Sequence, residues 1–236
     1  MSGAIAAAPA PERAAASRFS PTTLDLALAT VIGVGLPVAA AWLFDWTGGA
    51  TASLLLYYGV CCIGIVWWRR GSLDYHWPAR WPWAIFLPSL ALPVLIALIN
   101  RDALPRQDAA LPAVFLTLVV WGGINAACEQ LAWFYVLDAW RLRWRAGVWR
   151  WVGLAVGGLL MLVLVGLIHA LFWAKFLPIA EATSLTRFSI PLNLALTGAY
   201  YWLYRRSGSM WPVFVVHFLV DAQLVWIAQY SILLDL

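Results

Sequence analysis

The segment WGGINAACEQLAWFYVL, Trp121–Leu137, holds one charged side chain, Glu129, in an otherwise apolar run that begins at Leu111. A run of this length can cross the hydrocarbon core of a bilayer, about 30 Å thick, as a helix. A charged residue at the centre of such a helix costs at least about 2.5 kcal/mol, so it usually has a function. The segment therefore predicts a membrane helix with a functional carboxylate.

The composition places the whole chain in a membrane. Of its 236 residues, 64% are hydrophobic and only 11% are charged, with a mean hydropathy of +0.81. Soluble domains carry roughly a quarter charged residues, so a soluble protein is excluded. We predict an all-α polytopic membrane helix bundle. Seven apolar segments are predicted to span: Leu24–Phe44, Ala50–Trp68, Trp81–Asn100, Leu111–Leu137, Trp151–Trp173, Ile190–Tyr204 and Ser209–Ile227.

The basic residues predict the orientation. With the N-terminus in the cytoplasm, eleven of the fifteen Lys and Arg residues lie in inner segments, where the excess is expected. Many tryptophans lie near span ends, as interfacial residues do. Residues 1–22 are rich in Ala and Pro and are predicted to be a disordered cytoplasmic arm, with residues 23–236 forming one integral-membrane domain. The expected location is the cytoplasmic (inner) membrane of a bacterium.

The sequence predicts the lipid bilayer as a partner and no nucleic acid, because no soluble domain could carry a basic face. Cys61 and Cys62 are adjacent in one span and Cys128 is alone in another, which is neither a disulfide framework nor a metal-type spacing. We therefore predict no metal and no cofactor. The sequence makes no prediction about the oligomeric state.

Three further ionisable residues fall inside predicted spans. His169 lies near the end of the fifth span, and His217 and Asp221 lie four residues apart in the seventh. That spacing puts both side chains on one helix face, where a carboxylate can orient an imidazole. Each of these side chains alone could bond a backbone carbonyl or extend to the membrane–water interface. Together with Glu129, they predict a functional site inside the bundle. Asn125 is one turn before Glu129 on the same face.

Three motifs together resemble one family. The stretch EQLAWFYVL, Glu129–Leu137, resembles the Glu-Glu-x-x-Trp-Arg-Gly-Tyr-Leu motif of the CAAX protease and bacteriocin-processing family, also called the abortive-infection family. Val165–His169 is similar to its Phe-x-x-x-His motif. Gly208–Asp221 resembles its last motif, His-x-x-x-Asn/Asp after a Gly-Ser turn. The likeness covers about residues 111–227.

The resemblance implies an intramembrane endopeptidase of the glutamate type, acting on a membrane-associated peptide or a lipid-anchored protein. In that family the first Glu and the middle His activate a water, and the last His with its Asn/Asp partner stabilises the oxyanion. Carried onto this chain, Glu129 and His169 hold the water, while His217 and Asp221 face the developing charge. An aspartate in this place has to be protonated or paired with His217 to avoid repelling the oxyanion.

Two positions depart from the family motif. Gln130 stands where the family has its second Glu, and Phe134 stands where it has Arg. Losing both members of an ion pair leaves no orphan charge, whereas losing one costs several kcal/mol. The change is thus compatible with an active enzyme or with a relative that has lost catalysis. We expect Phe134 to fill the volume of the arginine, one turn from Gln130.

Three hypotheses remain open at this point. The chain is a membrane endopeptidase, a catalytically degenerate relative that acts as a membrane scaffold, assembly or immunity protein, or a transporter, proton relay or metal enzyme that uses the same four groups. Two His and one or two carboxylates can bind zinc or iron, but the chain has no His-Glu-x-x-His helix.

Overall fold

The computed structural model describes residues 19–176 and 186–232, and within them the chain forms an all-α bundle, as predicted. The described helices are α1 (Thr23–Thr47), α2 (Thr51–Arg70), α3 (Trp83–Ala103), α4 (Leu111–Arg141), α5 (Gly147–Phe176), α6 (Thr186–Ser207) and α7 (Trp211–Ala228).

Six of these helices, all except α6, are long and apolar enough to cross a membrane. They match six of the seven predicted spans, so the integral-membrane assignment is confirmed. The predicted sixth span, Ile190–Tyr204, lies within α6, whose sequence also includes Arg187, Arg205 and Arg206. The count of seven spans and the cytoplasmic N-terminus remain predictions.

Residues 1–18 of the predicted arm lie outside the described residues. The last four residues of the arm, 19–22, are described and lead into α1. Phe19 is buried, with its ring centroid 5.9 Å from that of Tyr135 in α4. Thr22 caps α1, since its backbone N–H and its hydroxyl each donate to Asp25 at 2.7 Å.

The second half of α4 is the centre of the bundle. Every residue from Cys128 to Ala139 is buried, and α1, α2, α5 and α7 all pack against this helix. A helix that is covered on all sides has protein around its side chains in place of lipid. The position of α4 thus puts Glu129 inside protein and away from lipid.

Glycines bring α5 close to the α4 backbone. A Cβ built on Gly157 would lie 2.6 Å from the carbonyl oxygen of Leu137, and one on Gly153 would lie 2.5 Å from that of Trp140. Small residues four apart are the pattern that lets membrane helices approach closely. Because α4 continues to Arg141 and α5 begins at Gly147, both helices extend beyond the predicted bounds, and they form one long hairpin.

Charged residues tie the helices together at one end of the bundle. Asp25 in α1 pairs with Arg69 in α2 at 2.9 Å. Arg70 then lies 3.4 Å from Asp138 in α4 and donates to the Tyr204 hydroxyl in α6 at 2.7 Å. These contacts hold the start of α1 beside the ends of α2, α4 and α6, as expected where helices alternate in direction.

Replacing Gly157 with Ala should destabilise the protein, because the new methyl group would contact the Leu137 carbonyl and force α4 and α5 apart. We expect a loss of about 1–3 kcal/mol, seen as a lower unfolding temperature in detergent. The matched control is Gly158→Ala, next to it in the same helix, where a Cβ meets nothing within 4 Å. Equal effects of the two variants would contradict the packing described here.

The orientation is tested by cysteine labelling, since the native Cys61, Cys62 and Cys128 are all buried. With the N-terminus inside, Arg143→Cys, in the α4–α5 turn, should resist a membrane-impermeant thiol reagent applied from outside. Arg106→Cys, at the opposite end of the bundle, should react. The reverse pattern would show that the predicted orientation is wrong.

Candidate functional site

Three of the four residues predicted for the site lie together. Glu129 and His217 are almost fully buried, and Glu129 Oε2 is 3.7 Å from His217 Nε2. The same nitrogen is 3.7 Å from Oδ2 of Asp221, one turn later on α7. A separation of 3.7 Å exceeds a direct hydrogen bond but is closed by a small side-chain shift. Two carboxylates therefore face one imidazole nitrogen across the α4–α7 contact.

The other oxygen of Glu129 is held by α5. The indole Nε1 of Trp173 donates a hydrogen bond to Oε1 at 2.8 Å, and Trp173 is itself buried. The side chains of Tyr57 and Asn125 also interact with this carboxylate. With Oε1 occupied, Oε2 is the oxygen that faces His217. Trp173 thus sets the orientation of the carboxylate.

His169 lies in α5 one turn before Trp173, where the helix widens into a π-turn over His169–Trp173. Such turns are frequent at functional sites. Its Nδ1 is 2.7 Å from the carbonyl oxygen of Val165. A carbonyl only accepts, so Nδ1 carries the hydrogen and Nε2 is left as an acceptor. Trp173, four residues later in the same turn, is the residue that bonds Glu129, whereas His169 itself is only partly buried.

A hydrogen-bonded chain supports Asp221 from two other helices. Asn125 Nδ2 donates to Asp221 Oδ2 at 2.8 Å, and the Tyr58 hydroxyl donates to Asn125 Oδ1 at 2.6 Å. All three side chains are buried. Hydrogen bonds to a carboxylate are among the stronger ones in proteins, so Asp221 is fixed by α4 and α2 as well as by its own helix.

Gln130, the residue after Glu129, also contacts His217. Its Oε1 is 3.0 Å from His217 Nδ1. Its Nε2 donates to the Tyr75 hydroxyl at 2.9 Å and also to the Ala126 carbonyl. All the polar atoms of this buried amide thus have partners, which is what a buried polar group requires.

Phe134 lies in a pocket of aromatic rings. Its ring stacks on Tyr204 with centroids 5.2 Å apart and meets Tyr201 edge-on at 5.3 Å. Phe134 is fully buried, one turn after Gln130. An apolar ring therefore fills this part of the core without requiring a charged partner.

Aromatic rings also confine His217. Trp133 and Tyr200 lie with centroids 5.5 Å and 5.2 Å from the imidazole, each tilted by about 30° to it. Both rings are close enough to pack against the imidazole and limit its rotation. Within the described residues, the Tyr200 hydroxyl is buried and has no hydrogen-bond partner. It is a donor that a bound ligand can use.

Several residues of this site were not predicted from the sequence, namely Trp173, Tyr58, Tyr75 and Tyr200, and Gln130 was treated only as a departure from the motif. The signal that could have found Tyr58 is a hydroxyl within an apolar span. Trp173 carried no signal, because one tryptophan near a span end looks like an interfacial residue.

Comparison with known proteins assigns no family. No family model, no curated protein and no solved structure matches the chain. Within residues 19–176 and 186–232, no group of three or more His, Cys, Asp and Glu side chains is arranged to hold a metal ion. The relation to the CAAX protease family therefore stays a prediction.

The Asn125–Asp221 contact can be tested by exchanging the two groups. Asn125→Asp should destabilise the protein by about 3–5 kcal/mol, because it places a second carboxylate against Asp221 inside the bundle. Adding Asp221→Asn should recover most of this loss, since the amide–carboxylate bond forms again in reverse. Thermal unfolding in detergent measures all three variants, and strictly additive effects would show that the residues are not coupled.

Proposed function

We propose that this protein is an intramembrane endopeptidase in which Glu129 activates a water. The proposal rests on one observation. Glu129 Oε2 faces His217 Nε2 at 3.7 Å, deep in a membrane bundle. A base and an electrophilic group at this separation can work on the two sides of one carbonyl. The three-motif resemblance to CAAX proteases supports a peptide bond as the target.

The reaction needs one water and one peptide. The water oxygen attacks the carbonyl carbon while one of its protons passes to Glu129, which gives a tetrahedral intermediate with a negative oxygen. The C–N bond then breaks, and Glu129 gives its proton to the departing nitrogen as general acid. The products are a new carboxyl group and a new amine, and Glu129 returns to its starting form.

His217 stabilises the negative charge on the tetrahedral oxygen. In its cationic form the ring carries a hydrogen on Nε2, which lies on the side of Glu129 and Asp221 and donates to the oxyanion. Pairing with this cation removes the difficulty of an aspartate in the site, because Asp221 then balances the imidazolium. Tyr200 packs on His217, and its hydroxyl, which has no partner in the part of the chain that the structure describes, is a second donor for the substrate carbonyl.

His169 completes the proposed water site. With its Nδ1 hydrogen bonded to Val165, its Nε2 is the ring atom that accepts from the attacking water. Trp173 supports the reaction differently, because it holds Oε1 and leaves Oε2 as the basic oxygen. Both groups come from the π-turn of α5, so this turn positions the water relative to the carboxylate.

We further propose that the substrate is a membrane-associated peptide or a lipid-anchored protein in the cytoplasmic membrane of a bacterium. The site lies among apolar spans, so a partner that is already in the bilayer is the one that fits its position. The excess of arginines at one end of the bundle supports a cytoplasmic N-terminus.

A scaffold role without catalysis is the second candidate. The observation that favours it is the complete pairing of Gln130 and the aromatic packing of Phe134, which give a stable core without the family's Glu and Arg. In that case Glu129→Gln would keep full cellular activity.

The proposal predicts that Glu129→Gln abolishes cleavage of membrane peptides by the purified protein, with a rate loss of about 10²–10⁴-fold. Hydrolysis in ¹⁸O-labelled water should add one heavy oxygen to the new carboxyl group, seen by mass spectrometry. The control is Asp108→Asn, which changes an exposed carboxylate in the α3–α4 loop. Cleavage by the Glu129→Gln variant would contradict the role of Glu129 as the base. Loss of activity with a chelator would favour a metal enzyme.

A further inference from the structure

The orientation of the Gln130 amide is determined by its neighbours. The Ala126 carbonyl, which Gln130 contacts, is only an acceptor, so the group facing it must be the NH₂ group. The Tyr75 hydroxyl donates to the Ala127 carbonyl at 2.7 Å and therefore accepts from the same NH₂ group. Burial raises the pKa of Tyr75 well above its ordinary value, so this hydroxyl keeps its proton.

The amide oxygen of Gln130 consequently faces His217 Nδ1, at 3.0 Å. An oxygen that only accepts requires a hydrogen on that nitrogen. We infer that Gln130 is a positioning residue that keeps the hydrogen of His217 on Nδ1, so that Nε2 is the only ring atom that gains or loses a proton opposite Glu129 and Asp221. This inference rests on the proposed function and names a residue that acts through His217.

The effect on chemistry follows from the two carboxylates. Without an acceptor at Nδ1, Glu129 and Asp221 would draw the single hydrogen of a neutral imidazole to Nε2, since both lie 3.7 Å from it. The ring could then only donate at Nε2, and its cationic form would need a proton on a buried Nδ1 without a partner. With Gln130 in place, both states of the ring keep the same Nδ1 hydrogen bond. The proton moves only on the side that faces the reaction.

The same geometry explains why a neutral amide suits position 130. A carboxylate there would stand beside Glu129 and Asp221 as a third negative group, and one of its oxygens would face the Ala126 carbonyl. Like charges in a buried site repel strongly. An amide supplies the acceptor for Nδ1 and the donors for Tyr75 and Ala126 without adding a negative charge to the site.

The test is the ¹⁵N spectrum of imidazole-labelled protein in detergent, at a pH where the ring of His217 is neutral. Wild type should show the hydrogen of His217 on Nδ1, and Gln130→Leu should move most of it to Nε2. His169 is an internal reference, because its Nδ1 hydrogen is held by the Val165 carbonyl and should not move. Phe134→Leu, one turn along the same helix, is the control for a general loss of core packing.

A second variant covers the case in which Gln130→Leu fails to fold. Tyr75→Phe removes one hydroxyl and leaves one N–H of Gln130 without its partner, so a measurable part of the His217 signal should shift in the same direction. In a cleavage assay both variants should lower kcat, by about 10²-fold for Gln130→Leu, with KM little changed. Phe134→Leu should keep kcat as long as it stays folded.

The outcomes separate the two proposals. A wild-type His217 with its hydrogen on Nε2, or with hydrogens on both nitrogens in wild type and Gln130→Leu alike, would overturn the positioning role. So would a tautomer that Gln130→Leu and Tyr75→Phe leave unchanged. If the tautomer shifts as expected and no peptide is cleaved by the wild type, the positioning role stands and the endopeptidase proposal fails.

Discussion

The burial of the Glu129 carboxylate is the constraint around which the rest of the structure is arranged. A side chain that is 1% exposed inside an apolar bundle has no water to solvate it, so its partners must come from neighbouring helices. Trp173 of α5 binds one oxygen and His217 of α7 faces the other. One buried group on α4 therefore specifies the rotation of α5 and α7 relative to it, because only one rotation presents those side chains.

The contact between α4 and α5 makes this arrangement possible. Gly153 and Gly157 let the two backbones approach until a single methyl group would clash. From that close crossing α5 continues to the π-turn, where Trp173 is buried and bonds Glu129. Dispersion forces and shape complementarity hold such a contact, since lipid tails offer helices no hydrophobic gain from association.

The polar groups of the site are bound to one another across α4, α7 and the α2–α3 loop. Asp221 is bound by Asn125, and His217 is bound by Gln130, which in turn is held by Tyr75 from the α2–α3 loop. Each group is satisfied by another, so the network can be dismantled only at the cost of several unpaired buried atoms.

The sequence by itself determined the class of the protein and the position of six membrane helices. The reason is that the length of an apolar run and the placement of charges are local properties, and they decide whether a segment is stable in a bilayer. It also predicted that Glu129, His217 and Asp221 matter, from the cost of placing them in hydrocarbon and from the i, i+4 spacing on α7. The contacts of Trp173, Gln130 and Tyr75 were decided only by the tertiary structure. Their partners are 44, 87 and 55 residues away in the chain, and such contacts depend on how far each helix is rotated and shifted against its neighbours, which no local periodicity encodes.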